Sequence, residues 1–289
     1  MAIPGASEST INIRSIDLIS EMRAVEELQR EVWGPEDVVP LTHLVATTEV
    51  GGILIGAFDE TRLVAFVYGF IGQEQGHAVI HSHMLAVKGS HRDHHLGYRL
   101  KLAQREAALA RGFTRITWTF DPLQSRNAHL NFAKLGVVAD QYKLDFYGEQ
   151  SPSPLHYHIG TDRLWVSWLL DSRRVRERLE GRSSAGRLAS QIKQDAVTLV
   201  RLEADGSPVA PLASEALKVE RALIEIPGNI GSLQQHAPEL AIKWREATRR
   251  AFVQALNAGY LVEDFYRQTR SGLPLGVYLL RRMEAEERD

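Results

Sequence analysis

Apolar and polar positions follow two periodicities along the first 150 residues. Short, mainly apolar runs predict strands, and apolar residues three or four positions apart predict helices. Their order is strand, helix, a second helix or loop, three strands, helix, strand, helix and strand. The predicted elements are Ile11–Ile16, a helix capped by Asp17 or Ser20 that ends near Val32, Gly52–Asp59, Arg62–Ile71, Ala78–Val87, Tyr98–Arg111, Arg115–Phe120, Asn127–Leu135 and Asp140–Tyr147.

Two connections indicate how these elements are arranged. Asp59–Thr61 joins two apolar runs as a hairpin. The helix Tyr98–Arg111 lies between two strands, and a crossover helix makes such strands parallel neighbours. The sequence therefore predicts a mixed α/β sheet. The apolar residues at helical spacing in the crossover helix are Leu100, Ala103, Ala107 and Ala110.

A linker is predicted near the middle of the chain. Gln150–Pro154 is rich in serine and proline, so we expect a first domain over 1–150, a linker over 151–160 and a C-terminal α/β extension over 161–289. Part of the extension resembles part of the first domain, because Arg115–Tyr147 and Arg221–Arg282 both run strand, helix, glycine, strand. A degenerate half-repeat and a chance similarity of short α/β patterns are both compatible with this.

Composition narrows the class of protein. The chain has 289 residues, a net charge of -2 and no cysteine, which excludes disulfides, thiolate zinc sites and a cysteine nucleophile. No export signal and no apolar run of membrane-spanning length are visible, so we expect a cytoplasmic protein that binds no membrane. The charge also provides no basic field for nucleic acid. The arginine-rich Ser172–Arg187 leaves a nucleic-acid-associated modifier as an alternative, although Glu177 and Glu180 favour a solvated helix.

The segment His83–Tyr98 carries the most chemical information. Its pattern is typical of a strand, a tight basic turn and a helix. The first turn of a helix leaves backbone N–H groups without intrahelical acceptors, and the helix dipole adds partial positive charge there. Such a junction is a binding site for phosphate groups.

The same segment resembles the GNAT-type acyltransferases, the family that uses acyl-coenzyme A. That family marks its pyrophosphate loop with Arg or Gln, two residues, Gly, one residue, then Gly or Ala. The corresponding residues are Arg92–Asp93–His94–His95–Leu96–Gly97, with His95 where the family's first glycine belongs. Leu85–Val87 is similar to the strand that pairs with the pantetheine arm. Asn127–Gly136 resembles the second coenzyme-facing segment.

Further phrases resemble a less characterised group of predicted acetyltransferases within this superfamily. They are His81–Val87, Leu100–Arg105, Thr117–Leu123 and Thr161–Trp165. Some members of that group accompany N-succinyl-amino-acid racemases. The resemblance therefore implies acetyl-CoA or succinyl-CoA as the donor and a small amine, for example an amino acid, as the acceptor.

The resemblance also implies which residues contact the coenzyme. They are Leu85, Ala86, Val87, Arg92, His94, His95, Leu96, Gly97, Tyr98 and Asn127. The backbone N–H groups near Leu85 and Ala86 are implied to hold the oxyanion, and a β-bulge beside them would free them from the sheet. The histidines of the turn either belong to the phosphate loop or are simply exposed.

Amine acylation needs a proton acceptor, and histidine titrates in the right range. His81 and His83 share one strand face, and His83, nearest the thioester end, is the predicted base. A hydrogen-bonded histidine pair in a polar cleft is the structural alternative. Glu74 and Asp121 are the rival bases, since Asp121 follows a strand of the sheet. Paired histidines are common without a metal, so we expect none.

The proton donor and the acceptor site are less clearly marked. Many family members carry a tyrosine on the helix after the fifth strand, where this sequence has Phe132; Tyr147 and Tyr142 are the substitutes. Arg163 is the candidate partner for an acceptor carboxylate, with Arg126 second, and an ion pair between Asp162 and Arg163 is the structural alternative. Trp118 either walls the pocket or belongs to the core.

These observations predict a cytoplasmic acyl-CoA-dependent N-acyltransferase. Its C-terminal extension would complete the acceptor pocket or form a homodimer interface. A non-catalytic acyl-CoA-binding or regulatory protein is the alternative, which His95 and Phe132 both allow.

Overall fold

The computed structural model describes residues 11–92, 94–148, 159–182, 196–210 and 217–284. The chain has the mixed α/β fold that the periodicity predicted, and it divides into two compact units, residues 1–116 and 117–289. The change of unit therefore falls earlier than the predicted boundary at residue 150. Most of the predicted linker 151–160 lies outside the described residues.

The first unit is an antiparallel sheet with three helices. Its strands lie in the order β1 (Asn12–Ser15), β2 (Ile53–Asp59), β3 (Arg62–Glu74) and β4 (His77–Val87). Its helices are α1 (Ile19–Trp33), α2 (Leu41–Glu49) and α3 (Leu96–Ala110). The prediction that Asp17 or Ser20 caps α1 is wrong, because Leu18 takes the cap position without a side-chain hydrogen bond.

A hydrophobic core lies between one face of this sheet and the first two helices. Met22, Val25 and Leu28 of α1 are buried there against strand residues such as Phe66 and Tyr68. Each of these side chains is at most 5% exposed. The helical spacing of apolar residues in α1 therefore indicated its buried face correctly.

The buried stripe of α3 differs from the predicted one. Leu100 is buried as expected, but Ala107 is only partly buried and Ala110 is exposed. The stripe instead contains two polar residues, Lys101 and Gln104, which are 4% and 0% exposed. The periodicity argument failed here because it assigned polar residues to the solvent face.

The second unit also has a mixed α/β fold. Its elements are β5 (Arg115–Phe120, which begins in the first unit), α4 (Ser125–Ala128) followed by a π-helical segment (His129–Leu135), β6 (Val138–Lys143), β7 (Arg163–Leu169), α5 (Arg173–Leu179), β8 (Ala196–Leu202), β9 (Pro208–Val209), β10 (Arg221–Pro227), α6 (Ile230–His236), α7 (Pro238–Asn257), β11 (Tyr260–Arg270) and β12 (Leu273–Arg282).

The eight strands of this unit lie in the order β5-β7-β6-β11-β12-β10-β8-β9. Among the pairings described, only that of β10 with β8 is parallel. Helix α7 buries Trp244 and Phe252 in the core of the unit.

The two segments that suggested a half-repeat differ in detail. One contains α4 and the short π-helical segment, whereas the other contains the 20-residue α7. The half-repeat stays a prediction. Among the described residues, no helix combines the length and the apolar character that crossing a membrane requires.

Candidate functional site

β4 carries a bulge at the histidine predicted to act as the base. Along the β3–β4 ladder Tyr68 pairs with Met84, but the next residue of β3, Gly69, pairs with Ser82. His83 is therefore the extra residue on β4, which is the definition of a β-bulge. The sequence analysis had named a bulge as the feature that would free the amides near Leu85 and Ala86, and the observed bulge lies two residues before Leu85.

The bulge changes which side chains of β4 share a face. Before it, His81 and His83 lie beside Phe70, with ring centroids 5.4 and 5.8 Å from that ring. After it, Met84 and Ala86 occupy the same face and pack into the core of α1 and α2. The slip thus places two imidazoles at the edge of an apolar core.

Both imidazoles are held in the neutral form. His83 as a residue is exposed, but partial burial of its imidazole lowers the pKa of His83, an effect to which His43 of α2 adds. Burial lowers the pKa of His81 to about 4, with smaller effects of His83 and Lys101. At pH 7 His83 can therefore accept a proton.

The backbone amides that follow the bulge point alternately toward β3 and away from it. The amide of Lys88 donates to the carbonyl of Val64 over 2.8 Å. In an antiparallel ladder every second residue bonds to the same neighbour, so the Ala86 amide also points to β3 and the Leu85 amide points away from it. Of the two implied oxyanion donors, the Ala86 amide is therefore directed to β3 within the sheet, whereas the Leu85 amide is directed away from β3.

α3 begins at a residue in the left-handed conformation. His95, its N-cap, has φ 54° and ψ 20°, a region that favours glycine. The first intrahelical bond runs from the Arg99 amide to the His95 carbonyl over 3.1 Å. The amides of Leu96, Gly97 and Tyr98 precede that bond and so have no intrahelical acceptor. His95 thus adopts a backbone suited to glycine, at a cost of roughly 1–2 kcal/mol.

The side chains of the turn before α3 fall into two groups. His91 is held by Asp59, with 3.4 Å between its Nε2 and the carboxylate Oδ2. Arg92, His94 and His95 are exposed, and Asp93 lies outside the described residues. The exposed cationic and imidazole side chains surround the start of α3, where they would favour an anion.

Gly97 leaves room beside these amides. A Cβ at this position would lie 3.6 Å from Leu85 Cδ2, an ordinary van der Waals contact. The protein itself would therefore accept an alanine here, and only a larger side chain would cover the helix start. Tyr98, the next residue, is half-buried.

In the second unit, Asp121 is engaged in a buried ion pair. Its Oδ1 accepts hydrogen bonds from Arg245 Nη2 at 2.7 Å and from the Leu123 amide at 3.0 Å. Burial opposes the charge of Arg245, which is 3% exposed, but Asp121, Tyr142 and Asp162 together outweigh burial and raise the pKa of the guanidinium. The Asp121 carboxylate is thus already engaged by a buried guanidinium and a backbone amide, an arrangement that favours a structural role.

Arg163 and Tyr147 lie together in the same unit. The Arg163 guanidinium is centred 5.1 Å from the Tyr147 ring and donates to the Asp162 carbonyl at 2.9 Å. The Asp162 carboxylate binds Arg249, whose Nε and Nη2 are each 2.7 Å from an oxygen. Burial lowers the pKa of Arg163, an effect that Asp121 opposes. The structure thus brings a buried guanidinium against an exposed tyrosine.

The other predicted residues of this unit have separate surroundings. Trp118 is 6% exposed and packs edge-on against Trp168, with 6.0 Å between ring centroids, so it belongs to the core. Asn127 is exposed on α4. Tyr142 donates to Asp162 at 2.7 Å, and burial raises its pKa well above the ordinary value, so it is unsuited to release a proton.

The arginines of α5 are bound within the second unit. Arg173 pairs with Glu177 at 2.7 Å, Arg178 pairs with Asp264, and Arg174 donates to the Gly136 carbonyl at 3.2 Å. These contacts favour the structural interpretation of the arginine-rich segment over nucleic-acid binding. Across the described ranges, no cluster of three or more His, Asp or Glu side chains could hold a metal ion.

Sequence reasoning missed three charged residues that the structure places in internal contacts, of which Lys101 and Arg245 are buried. Lys101 lies behind β4, and Arg245 and Arg249 on α7 bind Asp121 and Asp162. The arginines had one local signal, their spacing of four positions, which places them on the same face of a helix. Their partners lie 124 and 87 residues away in the sequence, which no local pattern reveals.

Comparisons with known proteins cover the first part of the chain. Residues 19–137 match the family model described as "Acetyltransferase (GNAT) family", and a further sheet and helices follow toward the C-terminus. No curated protein matches the chain at a significant level.

Several solved structures resemble the chain at low sequence identity. The ribosomal-protein-S18-alanine N-acetyltransferase from Escherichia coli is 10% identical, covers 56% of this chain and 96% of its own, and has a TM-score of 0.46. An aminoglycoside 6'-acetyltransferase type Ii is 18% identical, with 56% and 99% covered and a TM-score of 0.45. An aminoglycoside 6'-N-acetyltransferase complexed with coenzyme A is 17% identical, with 56% and 98% covered and a TM-score of 0.42.

Proposed function

We propose that the protein is an N-acyltransferase that transfers an acetyl or a succinyl group from acyl-CoA to the amine of a small molecule such as an amino acid. The observation that carries the proposal is the β4 bulge. It sets a neutral His83 two residues before the Leu85 amide, on a strand that leads into the start of α3. The match of residues 19–137 to the GNAT family supports the same reaction.

The residues at the start of α3 suit the pyrophosphate of a coenzyme. Three amides, at Leu96, Gly97 and Tyr98, have no intrahelical acceptor, and the missing side chain of Gly97 leaves the approach open. Arg92 and His94 are exposed beside them. Val87 on β4 has an amide that points away from β3 and would bind the pantetheine arm.

His83 would accept the proton of the attacking amine, directly or through a water. The amine nitrogen forms a bond to the thioester carbonyl carbon, and the Leu85 amide donates to the oxygen on which negative charge develops. The carbon–sulfur bond then breaks, and the thiolate leaves as the free coenzyme after taking up a proton. No metal is needed in this sequence of steps, since the amide and the imidazole handle the charge and the proton.

Two residues of the second unit keep proposed roles. Tyr147 is the proposed donor of the proton to the thiolate, supported by its exposed hydroxyl-bearing ring. Arg163 is the proposed partner of an acceptor carboxylate, because a guanidinium binds such a group in a bidentate manner. Its burial would strengthen that interaction.

The test is the release of thiol from acetyl-CoA and succinyl-CoA in the presence of a panel of amines and amino acids. A thiol-reactive dye suits this chain because it has no cysteine, so the free coenzyme gives the whole signal. We expect amine-dependent release that falls by about 10²- to 10⁴-fold in His83→Ala, as for other general bases. His77→Ala, an exposed histidine of the same strand, is the matched control.

The pH dependence of kcat/KM distinguishes a catalytic base from a residue that takes no part in proton transfer. Because its surroundings lower the pKa of His83 below 6.5, the deprotonated form and hence kcat/KM should rise with pH in the acid range and level off near neutrality. His83→Ala should lose this acid limb. Tight binding of coenzyme A in calorimetry, without thiol release in the presence of any amine, would instead favour an acyl-CoA-binding protein.

A further inference from the structure

We propose that Lys101 is a positioning residue which, with Ser82 and Gln104, holds the bulge of β4 and thereby fixes His83. These three side chains are called the α3 clamp below. The inference rests on the proposed function, because it concerns how the candidate base is placed.

The α3 clamp is a buried polar cluster behind the bulge. Lys101 Nζ donates to Ser82 Oγ at 2.7 Å and to Gln104 Oε1 at 3.3 Å. The three residues are between 0% and 5% exposed. Ser82 is the residue immediately before His83, so its hydrogen bond fixes one end of the bulge.

Gln104 contacts the opposite strand at the same level. A Cβ at Gly69 would lie 3.0 Å from Gln104 Nε2 and 3.0 Å from the His81 carbonyl, closer than side chains normally approach. Gly69 is the residue of β3 at which the register slips. The missing side chain therefore leaves space for the Gln104 amide beside β3, where Gln104 Nε2 makes no hydrogen bond to the described residues. The polar contact of α3 with the bulge is thus the one from Lys101 to Ser82 on β4.

Packing alone does not account for a lysine at this position. Methionine would fill similar space without taking a charge out of water, and a buried ammonium is unfavourable in an apolar environment. A directional hydrogen bond to Ser82 is what the lysine adds. A bulged residue has no ladder partner of its own, so a contact from behind the sheet is an effective way to fix its position.

The charge of Lys101 in the α3 clamp also affects the pKa of His81. Lys101 and His83 both lower the pKa of His81, and His43 of α2 lowers that of His83. The titratable groups near the pair include Lys101 behind β4, His43 of α2 and Tyr68 of β3, whose ring centroid lies 6.2 Å from that of His83. Removal of the Lys101 charge should raise the pKa of His81, which is measurable without catalysis.

The experiment compares Lys101→Met, Ser82→Ala and the double variant with wild type in the full chain. We expect kcat to fall on the order of ten- to a hundredfold in each single variant, the loss typical of a misplaced catalytic group. The KM for acyl-CoA should change less than about twofold, because the coenzyme residues lie one turn earlier on α3. The double variant should lose no more than the worse single variant, since the pair acts as a unit.

Two readouts keep the inference separate from the proposed function. Lys243→Met, an exposed lysine of α7, is the matched control and should behave as wild type. Nuclear magnetic resonance titration of the imidazoles should show a raised pKa of His81 in Lys101→Met. Should Lys101→Met misfold, Ser82→Ala supplies the kinetic test.

The outcomes are distinguishable. Wild-type kcat and pH profile in both single variants would overturn the role of the α3 clamp. Absence of thiol release by the wild type would refute the proposed function instead. In that case unchanged histidine titrations in Lys101→Met would overturn the α3 clamp as well, and shifted ones would support it.

Discussion

Replacement of Lys101 by methionine should remove a pH dependence from the stability of the first unit. Lys101 is 4% exposed, and burial lowers its pKa from 10.5 to about 7. Between those two values the unfolded chain binds a proton that the folded chain does not bind. The free energy of unfolding therefore rises with pH across this range, and the full penalty remains below pH 7.

The size of the effect follows from the same two pKa values. Linkage gives about 2 kcal/mol more stability at pH 9 than at pH 7 for this one group. Lys101→Met lacks this contribution to the pH dependence of stability, whereas all other titrating groups are common to both proteins. The difference between the two pH dependences thus isolates the lysine.

Denaturant titrations of wild type and Lys101→Met at pH 7, 8 and 9 measure this difference in the pH dependence of stability. Hydrogen–deuterium exchange of peptides from β4 and α3 reports on the first unit by itself, since exchange resolves local unfolding. Lys243→Met should keep the wild-type dependence. An equal gain in stability between pH 7 and pH 9 for wild type and Lys101→Met would mean that burial does not shift this lysine, and the argument would fail.

Three further variants test the candidate site. Gly97→Trp should raise the KM for acyl-CoA by more than about tenfold, because the indole would cover the start of α3. Gly97→Ala is the control and should bind acyl-CoA normally. Steady-state kinetics measure both KM values, and a normal KM in Gly97→Trp would refute the donor site. Asp121→Asn should destabilise the second unit by about 3–5 kcal/mol, because it leaves the Arg245 guanidinium buried without its anion; a large loss of kcat at an unchanged Tm would contradict the structural role. Arg163→Met should raise the KM for amino-acid acceptors far more than that for acyl-CoA, and equal increases in both would exclude a carboxylate partner.

Local periodicity was sufficient to predict the elements of the first unit. The three strands of the hairpin region and helix α1 lie close to their predicted bounds, because alternation and helical spacing report directly on burial. The periodicity did not locate the bulge at His83, since a register shift of one residue leaves the sequence pattern regular. The polarity of Lys101 likewise concealed that it faces the sheet.

Long-range partners account for most of what was missed in the second unit. Asp121 follows a strand, which favours a ligand site, but the residue that binds it is on α7, 124 positions later. Asp162 is adjacent to Arg163 in sequence, which suggested a pair, yet its carboxylate binds Arg249. Such choices depend on the packing of elements far apart in the chain, which one sequence does not contain.

Two unfavourable features of the first unit lie in or next to the segment predicted to carry its chemistry: His95 is within it, and Lys101 lies one turn further along α3. Lys101 lowers the stability by about 4 kcal/mol at pH 7 through its shifted pKa. His95 in the left-handed region adds roughly 1–2 kcal/mol. Both are large beside a net stability of about 5–15 kcal/mol for a typical protein, so they persist only where the surrounding structure enforces them. A chain arranged for stability alone would carry an apolar residue at 101 and glycine at 95. The lysine instead holds the bulge, and the histidine begins the helix whose first amides lack intrahelical acceptors, which is a physical reason to propose that the reaction takes place at β4 and α3.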